Sequence, residues 1–152
     1  MNQIKAPWRI NIALVLMLCS ASAFSSDADD VRATIERHYA FINAKDYEAA
    51  ANHHLPDFTM FFPDGGPLWE ADYTAVGDRM SATANFPEMN VMMTNYKAQS
   101  YGDVVVVTFF LRGTHTTSGE VENVVNRVSA VWVKTGQEWI EAHHHESPLA
   151  PR

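Results

Sequence analysis

Two tryptophan-bearing runs near the C-terminus constrain the fold more than any other part of the chain. The first run ends around Trp132 in the sequence NRVSAVWVK, and the second extends from Trp139 to Leu149 in WIEAHHHESPL. Between them stand Thr135 and Gly136, a pair that is typical of the tight turn of a β-hairpin. The sequence therefore predicts two antiparallel strands that bring three consecutive histidines to one edge of a sheet.

The N-terminal 23 residues have the pattern of a secretory signal peptide. Lys5 and Arg9 precede an apolar run, and Ala21-Ser22-Ala23 fits the small-residue rule for cleavage. The apolar run is far shorter than the roughly 20 residues that a membrane-spanning helix needs. We therefore expect cleavage after Ala23 and a secreted or periplasmic domain over residues 24–152, with no membrane attachment after cleavage. Lipidation at Cys19 is an alternative that the residues leave open.

The charge balance limits the partners of this domain. The 152 residues include 11 basic and 18 acidic ones, which gives a net charge of −7. The predicted signal peptide holds two of the basic residues and none of the acidic ones, so cleavage leaves nine against 18 and a net charge of −9. An acidic surface repels nucleic acid and anionic lipid, and we expect neither as a partner. The single cysteine, Cys19, leaves with the signal peptide, so the domain has no disulfide.

Helices precede strands along the rest of the chain. Ser26 and Asp29 form a capping pattern ahead of a helix whose apolar face is Val31, Ile35, Tyr39 and Ile42. Periodicity and breakers then predict a short helix over 47–53, a third over 72–80, and strands over about 57–62, 89–100, 104–112, 122–134 and 139–146. This order predicts one α+β domain with its core over about 27–149. In it, the N-terminal helices cover the concave face of a curved, mostly antiparallel sheet that wraps a cone with an open mouth.

The element order and the closing motif resemble those of a known superfamily. The strand PDFTMFFPDG and the ending RVSAVWVKTGQEWIEAHHHESPL are similar to the nuclear transport factor 2-like superfamily, specifically its SnoaL-like branch. The residues that match together with the element order are Trp132, Trp139, His143, His145 and Ser147. The closing W-x-x-A-H-x-H-x-S pattern also resembles the calcium/calmodulin-dependent protein kinase association domain. The resemblance implies a cone-shaped pocket and usually a homodimer through the sheet, but it implies no single chemistry.

The three histidines divide between the two faces of the last strand. In a regular strand, Ile140, Ala142, His144 and Glu146 share one face, and the odd-numbered residues from 139 to 147 share the other. Since Ile140 and Ala142 are the more apolar pair, we assign their face to the concave side. His144 and Glu146 then lie near the pocket mouth as a candidate acid/base pair, with His144 as the proton shuttle. A β-bulge would reverse this assignment.

Several aromatic residues are further candidates for the pocket. Tyr39 lies on the covered face of the first helix and is the candidate hydrogen-bond donor to a developing oxyanion. Trp69, Trp132 and Phe61 are candidates for the wall of a ligand pocket, although aromatic clusters are more often simply core.

The opposite face of the last strand supplies a second choice of site, formed by His143, His145, Glu141 and Arg127. Arg127 is expected to pair with Glu141 across the hairpin, or else to anchor a ligand carboxylate. His143 and His145 stand two apart on one strand and can chelate a zinc-like ion, but no third ligand stands near them in the sequence. We therefore expect no metal and no cofactor.

These features predict an exported domain that binds a small apolar or aromatic molecule. If the domain is an enzyme, we expect a cofactor-free isomerase, cyclase or dehydratase that uses His/Glu acid–base chemistry. The alternative is a non-catalytic binding or oligomeric assembly module, in which the histidines bond the end of the sheet or a partner subunit. The strand over 104–111, apolar on both faces, favours a homodimer through the convex sheet face.

Overall fold

The computed structural model describes residues 26–70 and 87–149. They form helices α1 (Asp27–Asn43) and α2 (Tyr47–Ala51) and strands β1 (His54–Phe61), β2 (Trp69–Glu70), β3 (Glu88–Tyr101), β4 (Val104–Thr117), β5 (Glu120–Thr135) and β6 (Glu138–Pro148). The predicted signal peptide and the predicted helix over 72–80 lie outside the described residues. Within those residues, no helix is long and apolar enough to cross a membrane.

Local capping fixes where α1 begins. The Ser26 hydroxyl accepts a hydrogen bond from the Asp29 amide at 3.2 Å, and acidic residues fill the first turn, where the helix dipole favours negative charge. The buried face of the helix contains the four predicted apolar residues and two polar ones: Val31, Thr34, Ile35, His38, Tyr39 and Ile42. The helix is amphipathic as predicted, but it also buries a histidine.

In the sheet, β1 from the start of the chain lies next to β6 from its end. Its order is β2-β1-β6-β5-β4-β3, and the β1–β6 pair is parallel whereas all other pairs are antiparallel. Helix α1 packs mainly on β3 and covers the concave face, over a core that includes Trp132 and Trp139. The predicted α+β architecture, with a curved and mostly antiparallel sheet under N-terminal helices, is confirmed.

Two strand boundaries differ from the prediction for local reasons. Helix α2 ends at Ala51, and β1 begins at His54 because that residue already pairs with Glu141 of β6. Strands β4 and β5 continue through polar residues 114–120, which their composition predicts as a link. A tight turn at Ser118 and Gly119, with φ of 53° and 86°, allows this extension.

A close approach of β3 and β4 occurs at Gly113, where φ is 156°. A Cβ at this position would lie 1.9 Å from the backbone oxygen of Asn90, so only glycine fits. Just beyond this point, His115 of β4 and Met89 of β3 face a cavity between the sheet and α1.

Candidate functional site

A cavity of about 360 Å³ lies between α1, β1 and the concave side of β4 and β6. Most of its wall is apolar, formed by Tyr39, Ile42, Phe58, Met60, Phe62, Pro63, Pro87, Met89 and Leu111. The remaining wall is formed by four histidines and two glutamates: His38, His54, His115, Glu141, His144 and Glu146. An apolar cavity with a few convergent polar groups has the usual character of a small-molecule site.

A second and wider cleft, of about 580 Å³, lies on the other side of α1. Its charged side chains, Asp30, Arg37 and Glu138, are exposed, so water and salt screen them. The smaller cavity, with its buried titratable groups, is therefore the stronger candidate for a site of chemistry.

A β-bulge at Ala142 decides which side chains of β6 face the smaller cavity. Trp132 of β5 pairs with Glu141, whereas the neighbouring Val131 pairs with His143. Ala142 is therefore an extra residue between two paired ones, and the alternation of side chains shifts by one position there.

Residues of opposite parity consequently share the concave face of β6. The buried ones are Trp139 and Glu141 before the bulge and His144 and Glu146 after it. The prediction that Ile140 and Ala142 face the concave side is wrong, because it assumed a regular strand. The structure places His144 and Glu146 in the cavity wall with Tyr39, and it adds Glu141, which the regular alternation had assigned to the other face.

Imidazoles and carboxylates alternate along one wall of the cavity. His54 Nε2 donates to Glu141 Oε2 at 3.1 Å, and His144 Nδ1 donates to Glu141 Oε1 at 2.8 Å. His144 Nε2 lies 3.5 Å from Glu146 Oε2, and the Asn126 amide donates to Glu146 Oε1 at 2.5 Å. We call His54, Glu141, His144, Glu146 and Asn126 the ionic row. It runs across three adjacent strands, from β1 through β6 to β5.

The ionic row holds charges inside the fold. Burial by itself would raise the pKa of Glu141, but the imidazoles of His144 and His54 outweigh it and hold that pKa well below its usual range. Burial by itself would lower the pKa of His144, but Glu141 and Glu146 outweigh it and raise the pKa to about 10. At neutral pH, His144 is therefore an imidazolium between two carboxylates.

Two ring nitrogens near Glu146 are buried without a hydrogen bond. His144 Nε2 forms an ion pair with Glu146 at 3.5 Å, but it has no hydrogen-bond partner among residues 26–70 and 87–149. His115 Nε2 is likewise unpartnered within the described part of the chain. Burial would raise the pKa of Glu146, but His144 and Asn126 outweigh it and lower the pKa, so the carboxylate is ionised. Buried polar atoms are usually hydrogen-bonded, so these two nitrogens in the cavity wall are available to a ligand.

His38 stands beside the ionic row as a neutral group. Its Nδ1 donates to the Ala50 carbonyl at 3.2 Å, and its ring meets the His54 ring edge-on at a centroid distance of 5.0 Å. Burial, reinforced by His54, lowers the pKa of His38 to about 3. His38 therefore adds no positive charge to the cavity at neutral pH.

The predicted pocket residue Phe61 lies on the outer face of the sheet. Its ring is 38% exposed and contacts the rings of His143 and His145, at centroid distances of 6.1 and 5.5 Å. Alternation along β1 turns Phe58 and Met60 toward the cavity instead. The assignment of Phe61 to the pocket is therefore corrected.

The two predicted pocket tryptophans lie outside the cavity wall. Trp132 is 1% exposed and belongs to the main core, where it packs under α1. Trp69 contacts Phe58 and Phe62, whose rings line the cavity, and supports them from behind at centroid distances of 6.5 and 5.9 Å. Neither tryptophan is among the described residues that line the cavity.

The second-choice residues, apart from Glu141, lie on the outer face. His143 Nδ1 and the Thr59 hydroxyl form a hydrogen bond of 2.8 Å, and His145 is exposed. Arg127 is also exposed and pairs in register with Ser147. Since Glu141 is buried on the opposite face, the expected pair between Arg127 and Glu141 does not form. Within the described ranges, no three His, Cys, Asp or Glu side chains are placed to hold a metal ion.

The sequence does not predict that His38, His54 or Asn126 lines the cavity or completes the row. His38 follows Val31 and Ile35 at helical spacing, and this signal places it on the buried face. His54 directly follows the helix predicted over 47–53, so the pattern does not predict its place in a strand beside β6. Asn126 stands in a long strand with no local feature that marks it as the partner of a buried carboxylate.

Comparison with known proteins supports one family. Residues 31–151 match the family profile described as SnoaL-like domain. The structure is similar to the CaMKII hub homology domain of Chlamydomonas reinhardtii, with a TM-score of 0.67 and 26% identity over 82% of this chain and 100% of that one. No curated protein sequence matches the chain.

Two further solved structures show the fold alone. One is an NTF2-like protein with a cystatin-like fold from Novosphingobium aromaticivorans, with a TM-score of 0.66 and 15% identity over 83% of this chain and 84% of that one. The other is an NTF2-like family protein from Streptomyces avermitilis, provisionally named a dehydratase, with a TM-score of 0.68 and 17% identity over 82% and 97%. The architecture is therefore the nuclear transport factor 2-like α+β cone.

Proposed function

Because the chain belongs to the SnoaL-like domain family, we propose that its cavity binds a small apolar or aromatic molecule and that the ionic row moves protons on it without a cofactor. The observation that carries this proposal is the position of the ionic row at one wall of an otherwise apolar cavity. Burying ionised groups costs several kcal/mol per ion unless each is well paired. Strongly perturbed titratable groups in a cavity are characteristic of sites that transfer protons.

The protonation states support a proposed role for each group. At neutral pH the His144 imidazolium donates a proton and the Glu146 carboxylate accepts one, so the pair supplies both halves of an acid–base step. Tyr39 lines the same cavity and is our candidate for the hydrogen-bond donor to a developing oxyanion. Isomerisation, cyclisation and dehydration all require this kind of proton movement on a small organic molecule.

Native mass spectrometry of the purified full chain tests the proposal directly. A co-purifying small molecule, lost on denaturation, is the expected result. The molecule is then added back to the chain and to two variants, His144→Gln in the cavity and His143→Gln on the outer face. Binding or turnover lost in both variants, or in neither, would contradict a site at the ionic row.

Oligomeric assembly is the second candidate function. The similarity to a hub homology domain, at 26% identity over the whole of that chain, favours it. On the outer face of the sheet, the half-buried side chains of Val106, Phe110 and Val131 offer an apolar surface that suits a homodimer. Analytical ultracentrifugation at micromolar concentration should then give about twice the monomer mass. A monomer at high concentration would exclude this arrangement.

Export is a separate proposal that rests on the N-terminal sequence. The basic residues, the apolar run and the Ala21-Ser22-Ala23 site support cleavage after Ala23 and a secreted or periplasmic protein. N-terminal sequencing of the secreted or periplasmic fraction should find Phe24 first. An intact Met1, or an acylated Cys19 at the new terminus, would contradict it.

A further inference from the structure

The end of the ionic row presents a donor and an acceptor that are in only long contact with each other. Glu141 engages His144 Nδ1 at 2.8 Å, so the second N–H of the imidazolium is on Nε2, which lies 3.5 Å from Glu146 Oε2. At this separation the two groups form a long ion pair without full hydrogen-bond geometry, so the N–H can still bind a ligand oxygen, although the side chain is only 8% exposed. His115 Nε2, also buried and unpartnered among the described residues, lines the same part of the cavity.

We propose that the ligand of this cavity is a neutral molecule with a hydroxyl group, and that the hydroxyl binds between His144 Nε2, His115 Nε2 and the Glu146 carboxylate. This inference rests on the proposed function, namely that the cavity binds a small molecule. A hydroxyl oxygen accepts a hydrogen bond from His144 Nε2–H while its own proton is donated to Glu146. An ether or ketone accepts but cannot donate, so it leaves Glu146 without a new partner.

The charges of the described cavity wall disfavour an anionic ligand. Two glutamates and no lysine or arginine of the described residues line the cavity. A ligand carboxylate would lie beside the ionised Glu146, and the His144 imidazolium is already shared by two carboxylates. The apolar remainder of the ligand packs against the rings of Phe58 and Phe62, which favours an aromatic alcohol or an enol of similar shape.

Three probes with one ring system separate these chemistries: naphthol, its methyl ether, and naphthoate. Isothermal titration calorimetry of the full chain at neutral pH should show naphthol binding about 10- to 100-fold tighter than the ether, because it makes a hydrogen bond to a charged group. Naphthoate should bind more weakly than the ether. His115→Ala should weaken naphthol about 10-fold and weaken the ether less, because the ether oxygen cannot donate to Glu146 and is not held at this position.

Two variants and the three probes together provide the controls for this experiment. His115 is only half-buried and lies outside the ionic row, so its variant should fold, and His143→Ala on the outer face should change no affinity. If the ether or naphthoate binds as tightly as naphthol, or if His115→Ala weakens all three equally, the hydroxyl assignment is overturned and the cavity remains a small-molecule site. If no probe binds and none raises the melting temperature, the proposed function is overturned with it.

Discussion

The two faces of β6 carry the same residue types in contrasting environments. On the inner face, His144 is 6% exposed, lies between two carboxylates, and has its pKa raised to about 10. On the outer face, one position earlier, His143 bonds the neutral Thr59 hydroxyl. Burial and then the nearby charge of His144 lower the pKa of His143. Adjacent histidines on one strand therefore favour opposite charge states.

The contrast shows that partners, more than burial, decide the charge of a histidine. His144 is the more deeply buried of the two, and burial alone would make it the weaker base. The carboxylates of Glu141 and Glu146 reverse that order because each lies within ion-pair distance of its ring. A histidine run can thus place a charged imidazole in a cavity wall on one face and ordinary surface on the other.

Removing the carboxylate at the centre of the ionic row should have the largest effect. Glu141→Gln leaves the His144 charge buried with one partner fewer, and loss of a buried ion-pair partner typically costs about 3–5 kcal/mol. Urea unfolding at neutral pH should show this loss. The outer-face control, His145→Ala, should stay within about 0.5 kcal/mol. Equal costs for the two variants would show that the faces do not differ as described.

Substitution of the two neighbouring histidines should have different effects on ligand binding, and this is the second largest difference that we expect. His144→Gln keeps much of the side-chain volume but loses the charge, and it should weaken binding of the native ligand, or slow its turnover, about 100-fold. His143→Gln should change either quantity less than about twofold, because its side chain points away from the cavity. A larger effect at His143 would relocate the site to the outer face.

The pH dependence of stability should differ in sign between the two histidines. The folded-state pKa of His144, about 10, lies above its ordinary value of 6.5. Its stabilising contribution is therefore complete below pH 6.5 and disappears as the pH rises toward 10. The pKa of His143 is lowered, so its contribution instead disappears as the pH falls below that ordinary value. For the wild-type chain, the urea concentration at the midpoint of unfolding should decrease as the pH is raised from about 7 to 10. His144→Gln should make this decrease smaller, whereas His143→Gln should not change it.

The outer-face hydrogen bond should give the smallest measurable effect. Thr59→Val removes the hydroxyl that bonds His143 Nδ1 at 2.8 Å and keeps the β-branched shape. A neutral hydrogen bond contributes about 0.5–1.5 kcal/mol, and this partly exposed one should lie at the low end. Chemical denaturation measures the difference, and ligand affinity serves as the control because it should not change. A loss as large as that of Glu141→Gln would remove the distinction between the faces.

The family and the layer architecture could be predicted because local patterns determine them. Helical spacing from Val31 to Ile42 and the paired tryptophans of the last hairpin are properties of short segments. Which side chains of β6 face the cavity could not be predicted, because the bulge at Ala142 depends on how β5 pairs with β6. The placement of His144 and Glu146 in the cavity wall agrees with the sequence assignment, but through a shifted alternation that also turned Glu141 inward. His54 joined the row through a contact between residues far apart in the chain.

The parallel pairing of β1 with β6 has a consequence for the order of events during synthesis. His54 and Glu141 are joined side chain to side chain, and the Glu141 amide also bonds the His53 carbonyl at 2.8 Å, so the two ends of the domain complete one site. A nascent chain can form α1 and the β3–β4–β5 meander early, since those contacts are closer in sequence. The cavity wall must wait until the last strand has left the ribosome and inserted between β5 and β1. A chain that stops short of β6 would then expose apolar β1 and β5 edges, which makes it a target for chaperones and proteases and not a weaker form of the same protein.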